Sequence, residues 1–549
     1  MKILSQIKNS IRSKEFYFFL LISIVNVIPA ISYKFHPTLD GPSHLYNTNI
    51  INHLLFDHKG QLSDFFVFNK IPVPNWTGHF LLSLLTLFLP AFLAEKVFLV
   101  LFLIGLSFSF RALIKSLSPN NVLLSYLIFP FTYSFLFYFG FYSFIIGVVF
   151  IFITLTYWLR NQDNYSIKHI TVLGLLLIIT YFSHLFVFLV LLMVIGLQTF
   201  TKAIINLFNS KAFIKEILGM SKSLMKLLFV SIIPLILLYY YLHAYPMTGE
   251  KHYLKPSDMT EFMTRIKPIT GYTFNDERHA TLALFKLFFV LFLVAVLIRI
   301  VSIKTPLYLT RKKKILSAIK QSFELSDFIL FAAMIMLILF YTMPDFQGDA
   351  GFFSARICYL FYLLLISWIA VQKFPKWICF ITIFISLFYS YRLNDIRKAK
   401  LVELNKFAIQ INNSSKLIKP NSVVLPVDYS NYFNMLHYSN YLGIDKPIVV
   451  LENYECNENW FPLSWNEIKH PHSPKGITSG EQIVSYWFLD NPNSIKVDYI
   501  FLLENAYNLN DSSLLAFKSK ISKNYSIIDS SSNFFLLYQL NRDTLTKIL

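Results

Sequence analysis

Cysteine is scarce. Three occur in 549 residues, at Cys358, Cys379 and Cys456, and no two form a CxxC pair, so neither a zinc-ribbon site nor a disulfide framework is indicated. Charge is scarce too: 15% of residues are Asp, Glu, Lys or Arg, where a soluble chain carries about 25%. The GxxxxGK[ST] phosphate loop and the GxGxxG, HExxH and GxSxG patterns are all missing, which removes soluble-nucleotide and hydrolase readings. There is no internal repeat and no low-complexity tract.

What fills the chain instead is apolar: 55% hydrophobic residues, 17% aromatic. This composition is that of a polytopic membrane protein. The net charge of +18 lies in short basic clusters between apolar runs, as the positive-inside rule expects, and not in a nucleic-acid-binding stripe. The N-terminal MKILSQIKNSIRSKEF is basic, and the run Phe16–Tyr33 has no small-residue cleavage site. It reads as a retained first span with a cytoplasmic N-terminus.

Spans are expected at Phe16–Tyr33, Val97–Ile114, Val122–Phe139, Phe141–Leu159, Leu185–Thr201, Leu224–Leu242, Leu282–Val301, Phe328–Met343, Ile357–Val371 and Trp377–Tyr391, with a shorter run, Ile170–Ser183, ending at His184. Phe80–Leu93, interrupted by Pro90, is read as interfacial. Arg111 and Lys115, Arg160 and Lys168, Lys202 through Lys226, Lys304 through Lys314, and Lys373 with Lys376 then fall on one side. About eleven crossings result. The opposite, extracytoplasmic side collects Asp40, His44, His184, His243, Glu250, Lys251, His252, Arg265, Lys267, Asp276, Glu277, Arg278, Asp345, Asp349 and Arg356.

The first polar segment, FHPTLDGPSHLYNTNIINHLLF from Phe35 to Phe56, organises the rest. Pro42 suits a first helical turn and leaves Asp40 beside the positive end of the helix. Tyr46, Ile50, Ile51, Leu54 and Leu55 share one face while Asn47, Asn49, Asn52 and His53 cover the other, the pattern of a helix lying along an interface. Asp40 is then either an ionised acid facing water or a plain helix cap. His44, four residues on, shares its face, so the two are candidate ligands for a divalent cation. His184 stands at a break between apolar runs and is a candidate substrate-binding group or a helix-turn residue bonded to a carbonyl. Arg356, closing PDFQGDAGFFSAR, suits a phosphate or an aspartate equally.

Composition changes at about Arg392. Residues 392–549 alternate helix (Lys398–Ile411), strand (Ser422–Val427), a helical Phe433–Tyr438, strand (Ile448–Leu451), helix (Glu481–Phe488), strand (Val497–Leu503), helix (Ser512–Ser522) and strand (Phe534–Leu540). This suggests an extracytoplasmic α/β domain of its own behind a transmembrane domain spanning 1–391.

These features resemble the GT-C class of membrane glycosyltransferases, among them the protein O-mannosyltransferases and the aminoarabinose transferases of lipid A. The likeness lies in an acid soon after the first span (Asp40 in LDGPSH), interfacial helices in the same loop, a broken helix pair (ITYFSHLFVFLVLL), a late loop ending in Arg, and an exposed tail. It implies transfer of a sugar from a polyprenyl-phosphate donor to a glycan, lipid or protein acceptor on the outer face. Asp40 would match the acid that acts on the acceptor hydroxyl or binds a metal. His44, His184, His243 and Arg356 would contact substrate, Arg356 at the leaving lipid phosphate. One departure stands out: the tip Tyr138-Phe139-Gly140-Phe141-Tyr142-Ser143 carries no carboxylate, where many members of the class have a second acid. A transporter or flippase of a lipid-linked substrate, or an inactive membrane scaffold, are the competing readings. The absence of repeats and the one-sided charge favour the enzyme over the transporter.

Overall fold

The computed structural model describes residues 14–57, 60–209, 213–303, 321, 323–469, 496–504 and 511–541. The expected basic cluster Lys304–Lys314 and the expected helix Glu481–Phe488 lie outside the described residues. The chain gathers into two compact units, one of Met1–Pro29, Val100–Tyr138 and Phe144–Lys398, the other of Ala30–Leu99, Phe139–Ser143 and Ala399–Leu549.

Eight described helices are long and apolar enough to cross a membrane: Lys14–Ile31, Ala91–Leu117, Tyr142–Asn161, Leu185–Phe208, Phe213–Ala244, Phe274–Val301, Phe353–Ala370 and Lys376–Leu417. Ile167–Ser183 and Asp327–Thr342 are shorter apolar helices. The chain is an integral multi-pass membrane protein. The piece read as interfacial, Phe80–Leu93, is not one element: it holds the end of the 11-residue helix Trp76–Thr86, a turn through Pro90 and the start of the Ala91–Leu117 helix.

The span expected at Val122–Phe139 is not one helix. Its backbone runs as a 3-10 helix Pro119–Ile128 with Asn121 out of helical geometry, then two single turns, Phe129–Thr132 and Phe135–Tyr138. Pro130, inside the expected span, lacks the N–H that an unbroken helix would need there. Neighbours in the same unit enclose the segment: Tyr359 donates to the freed Phe131 carbonyl at 2.8 Å, while the Asn26 amide donates to Thr132 Oγ1 at 3.0 Å and Tyr133 donates to the Asn26 carbonyl at 2.8 Å. Irregular backbone within a membrane domain survives only when enclosed in this way. At the centre of this unit the Phe353–Ala370 helix is buried nearly all round. The helix from Lys376 continues unbroken to Ser414, so the tail helix expected at Lys398–Ile411 is the end of the last apolar helix.

In the second unit five tail strands form one sheet: β1 (Val423–Asp428), β2 (Val449–Val450), β3 (Tyr499–Leu503), β4 (Tyr525–Asp529) and β5 (Phe535–Leu540). The order is β2-β1-β3-β5-β4, parallel from β2 to β3 and antiparallel through β5 and β4. All five residues of β3 are buried, the continuous apolar run a parallel strand covered on both faces requires. Helix Ser512–Ile521 is started by the Asp511 side chain, which accepts from the N–H groups of Ser513 and Leu514, and it turns Leu514, Phe517 and Ile521 inward. A second contact joins the first loop to the tail: Phe66–Phe68 pairs antiparallel with Leu463–Trp465, Phe66 opposite Trp465 with rings stacked at 4.6 Å.

Leu502 is fully buried in the middle of β3. Leu502→Ala is expected to destabilise the tail by about 2–5 kcal/mol, seen as an earlier denaturation midpoint and as new protease cleavage within residues 399–549.

Candidate functional site

The first-loop helix, Gly41–Phe56, is not half-covered as its sequence pattern suggests. Gly41 through Thr48, Ile50 and Ile51 are buried, so both faces are covered through the first turns. The asparagines read as water-facing bond to the tail within the same unit: Asn47 donates to Glu455 at 2.7 Å, and Asn49 to the carbonyls of Gly443 and Lys446 at 2.8 Å each. Tyr46 donates to the Ile448 carbonyl at 2.8 Å and accepts from Val450 N–H at 2.9 Å, tying the helix to β2.

Asp40 stands at the helix N-cap, but its side chain makes no capping bond. Both simple readings of it therefore fail, because it is also only 7% exposed. Its backbone is fixed by an N–H donated to the Phe139 carbonyl and a carbonyl accepting from His44 N–H, each at 3.0 Å. The carboxylate meets the hydroxyl of Tyr454 and lies with Oδ1 3.7 Å from His437 Nε2. Burial pushes its pKa up to about 6, against the opposing pull of His437 and His44.

The tip that lacks an acid supplies carbonyls. Gly140 has φ +82°, and a Cβ there would fall 2.9 Å from the backbone nitrogens of both Asp40 and Gly41. Its carbonyl accepts from His44 Nε2 at 2.7 Å. Tyr142 donates to Glu95 at 2.7 Å, placing a buried acid behind the tip.

His44 does not join Asp40 around a cation. Its Nδ1 lies 3.0 Å from Glu455 Oε1 and 3.3 Å from His79 Nε2, while His79 Nε2 is 2.9 Å from Glu455 Oε2. These three donors lie within 4.8 Å of one another and are buried. The outer nitrogen of each ring is committed to backbone, His44 Nε2 to Gly140 and His79 Nδ1 to the Asn75 carbonyl at 3.3 Å. That arrangement directs the inner nitrogens at each other and at a carboxylate, and it is the one metal-ligating histidines adopt. With protons alone, burial works against a charged His44, yet Glu455 outweighs it and raises the ring to about 9, while the two rings hold Glu455 well below the usual carboxylate range. Two imidazoles and a carboxylate equally fit a divalent transition metal. With both ring nitrogens taken, His44 is not available to hold substrate.

The other expected contacts, His184, His243 and Arg356, belong to the first unit, where the Arg356 guanidinium is close enough to His184 to act on its ring. In the first unit, His184 Nδ1 accepts the Phe186 N–H at 3.2 Å and its ring stands edge-on to Phe144, as a helix-turn histidine would. His243 is exposed and stacks on Tyr239 one turn earlier. Glu277 is fully buried in an ion pair with Arg397 at 2.5 Å. Arg356 is half-buried and donates to the Gly351 carbonyl at 2.9 Å, whereas Asp345 accepts the Ser354 N–H. His79, His437, Glu452 and Glu455 went unnoticed in the sequence. Glu452 and Glu455 lie just past the carboxyl end of β2, where sites gather in parallel α/β sheets, and that placement is the signal that could have found them.

The fold is similar to that of a solved membrane protein. Two solved structures of the same protein carry this likeness: ArnT from Cupriavidus metallidurans bound to undecaprenyl phosphate (TM-score 0.52, 8% identity, 95% of this chain and 97% of that one) and ArnT from Cupriavidus metallidurans in the apo state (TM-score 0.52, 9% identity, 96% and 98%). No family model matches the sequence, and no curated protein matches it.

Gly140→Ala is expected to displace Asp40 and His44 together, since the new methyl meets backbone on both sides at a positive φ. The check is a lower melting temperature accompanied by loss of any Asp40-dependent activity.

Proposed function

We propose that this protein is a membrane glycosyltransferase that takes a sugar from a polyprenyl-phosphate donor and passes it to an acceptor on the extracytoplasmic face. The observation that carries the reading is Asp40: a carboxylate in the first loop, released from capping and held by backbone on both sides, in a chain similar over 95% of its length to a protein solved with undecaprenyl phosphate. In this reading Asp40 takes the proton of the acceptor hydroxyl as that oxygen attacks the anomeric carbon, and the bond to the lipid phosphate breaks with its electron pair leaving on the phosphate. Arg356, in the first unit, is retained as a proposed phosphate-binding residue, since a guanidinium can hold a phosphate through two parallel hydrogen bonds. His184 and His243 are not given a part in the chemistry.

His44, His79 and Glu455 are the proposed holders of a divalent cation. When bound it would supply positive charge beside the first-loop helix; the transfer step is assigned to Asp40. Elemental analysis of the purified protein is expected to find about one equivalent of a divalent transition metal, lost in His79→Ala and in Glu455→Gln; metal-free wild-type protein would leave the triad an ion pair.

The function is tested by transfer of radiolabelled sugar from a panel of polyprenyl-phosphate sugars by protein in lipid. Wild type is expected to transfer the sugar or slowly hydrolyse the donor, and Asp40→Asn to fall by about 10²–10⁴-fold. Unchanged turnover in Asp40→Asn would remove the assignment of the base. For the side of the membrane, the three native cysteines are buried, so Ser519→Cys, on the exposed face of the last tail helix, is expected to react with an impermeant thiol reagent added outside intact cells.

A further inference from the structure

The Tyr454 hydroxyl bonds the Asp40 carboxylate, and a carboxylate working as a base has to present a defined oxygen to its substrate. The groups facing Asp40 are His437, His44, Glu455 and Tyr454. Of these, His44 and Glu455 are bound to each other, which leaves His437 and Tyr454 to act on the Asp40 carboxylate.

His437 is held on two sides. Its Nδ1 lies 2.6 Å from Glu452 Oε1. Its ring stacks on Tyr454 with centroids 4.1 Å apart and planes 23° from parallel. Glu452 is itself fixed, its Oε2 accepting from Ser439 Oγ at 2.9 Å and from the Asn440 amide, which also donates to Ser43 Oγ at 3.1 Å beside the start of the first-loop helix. Glu452 is 2% exposed and His437 5%. A ring pinned at Nδ1 and along its face has one direction left for Nε2, and that direction is Asp40 Oδ1, 3.7 Å away; lying between the carboxylates of Glu452 and Asp40, it is held as the imidazolium, which carries an N–H at both nitrogens. This distance exceeds a formed hydrogen bond, as catalytic pairs often do before substrate arrives. Nothing in the Asp40–His437 geometry serves helix capping or strand pairing.

We propose that His437, oriented by Glu452, is a positioning residue that offers its Nε2–H to Asp40 Oδ1 and thereby turns the other carboxylate oxygen toward the acceptor hydroxyl. The inference rests on the reading of Asp40 as the acceptor's base. It gives the first loop, whose next tip carries no acid, a buried acid on the tail side, Glu452, acting through an imidazole.

Because an imidazole has two separable ends, the test uses two amides of different length. Glutamine places an amide nitrogen near the position of Nε2; asparagine places one near Nδ1, which satisfies Glu452 without reaching Asp40. Sugar transfer from the donor found for wild type is measured in His437→Ala, His437→Gln, His437→Asn and Glu452→Gln, each in lipid, with melting temperature and donor KM recorded. The expected result is a kcat about 10–100-fold lower in His437→Ala with donor KM within about twofold of wild type, as for loss of an interaction that matters only at the chemical step. Added imidazole should restore part of that kcat. His437→Gln should retain more activity than His437→Asn, and Glu452→Gln should fall toward His437→Ala. Equal activity in the two amide variants, or greater activity in His437→Asn, would mean the ring serves only to fold the tail around Glu452 and would overturn the inference. So would unchanged kcat in all four, provided Asp40→Asn is inactive. If Asp40→Asn keeps wild-type turnover, the reading of the base fails, and this inference falls with it for that separate reason.

Discussion

Glu455 is a carboxylate with no exposure, set between two buried imidazoles and an asparagine amide. An ionised group removed from water in this way persists only when partners replace the water it loses. His44 and Asn47 come from the first-loop helix and His79 from the Trp76–Thr86 helix, while Glu455 comes from the tail. Folding the tail therefore commits both first-loop helices. The orientation of the first-loop helix, and hence of Asp40 at its start, depends on that charge being satisfied.

The same dependence explains why the helix is polar where a membrane-interface helix would meet water. Asn47 and Asn49 saturate a carboxylate and two carbonyls of the tail, and Tyr46 both donates to and accepts from the β2 segment. Each such group would be costly to bury alone. Together they form a network that specifies one docking of helix on sheet. Gly140 extends it: a residue without a Cβ lets the tip approach the Asp40 and Gly41 backbones and spend its carbonyl on His44.

Two acids thus stand near Asp40 from the tail, Glu452 through His437 and Glu455 through His44. The tip, Phe139–Ser143, contributes backbone where a carboxylate was expected. Both acids come from sequence positions about 400 residues beyond Asp40. In the first unit, the buried Arg397–Glu277 pair shows the same principle in a structural role, its guanidinium also bonding the carbonyls of Tyr133 and Ile269.

Much of this was legible in the chain itself. Apolar run length gave the membrane class and most helices, because a span is a local property of about 20 residues. Alternating β-rich and helical stretches gave four of the five tail strands, each within a residue or two, since β1, β2, β3 and β5 are strongly apolar; β4, YSIID, is half exposed and was overlooked. Asp40 was marked by Pro42 and by its place after the first span. Pro130 lies inside an expected span that the structure breaks, and hydropathy does not register its missing N–H. What the sequence could not set was which partners Asp40 and His44 would meet. Periodicity put them on one face of one helix, but Glu455, His79 and His437 are brought there by the docking of helix on sheet, and a contact between residues hundreds of positions apart leaves no trace in local spacing. The identity of the acid was written in the sequence; its surroundings were decided by tertiary structure alone.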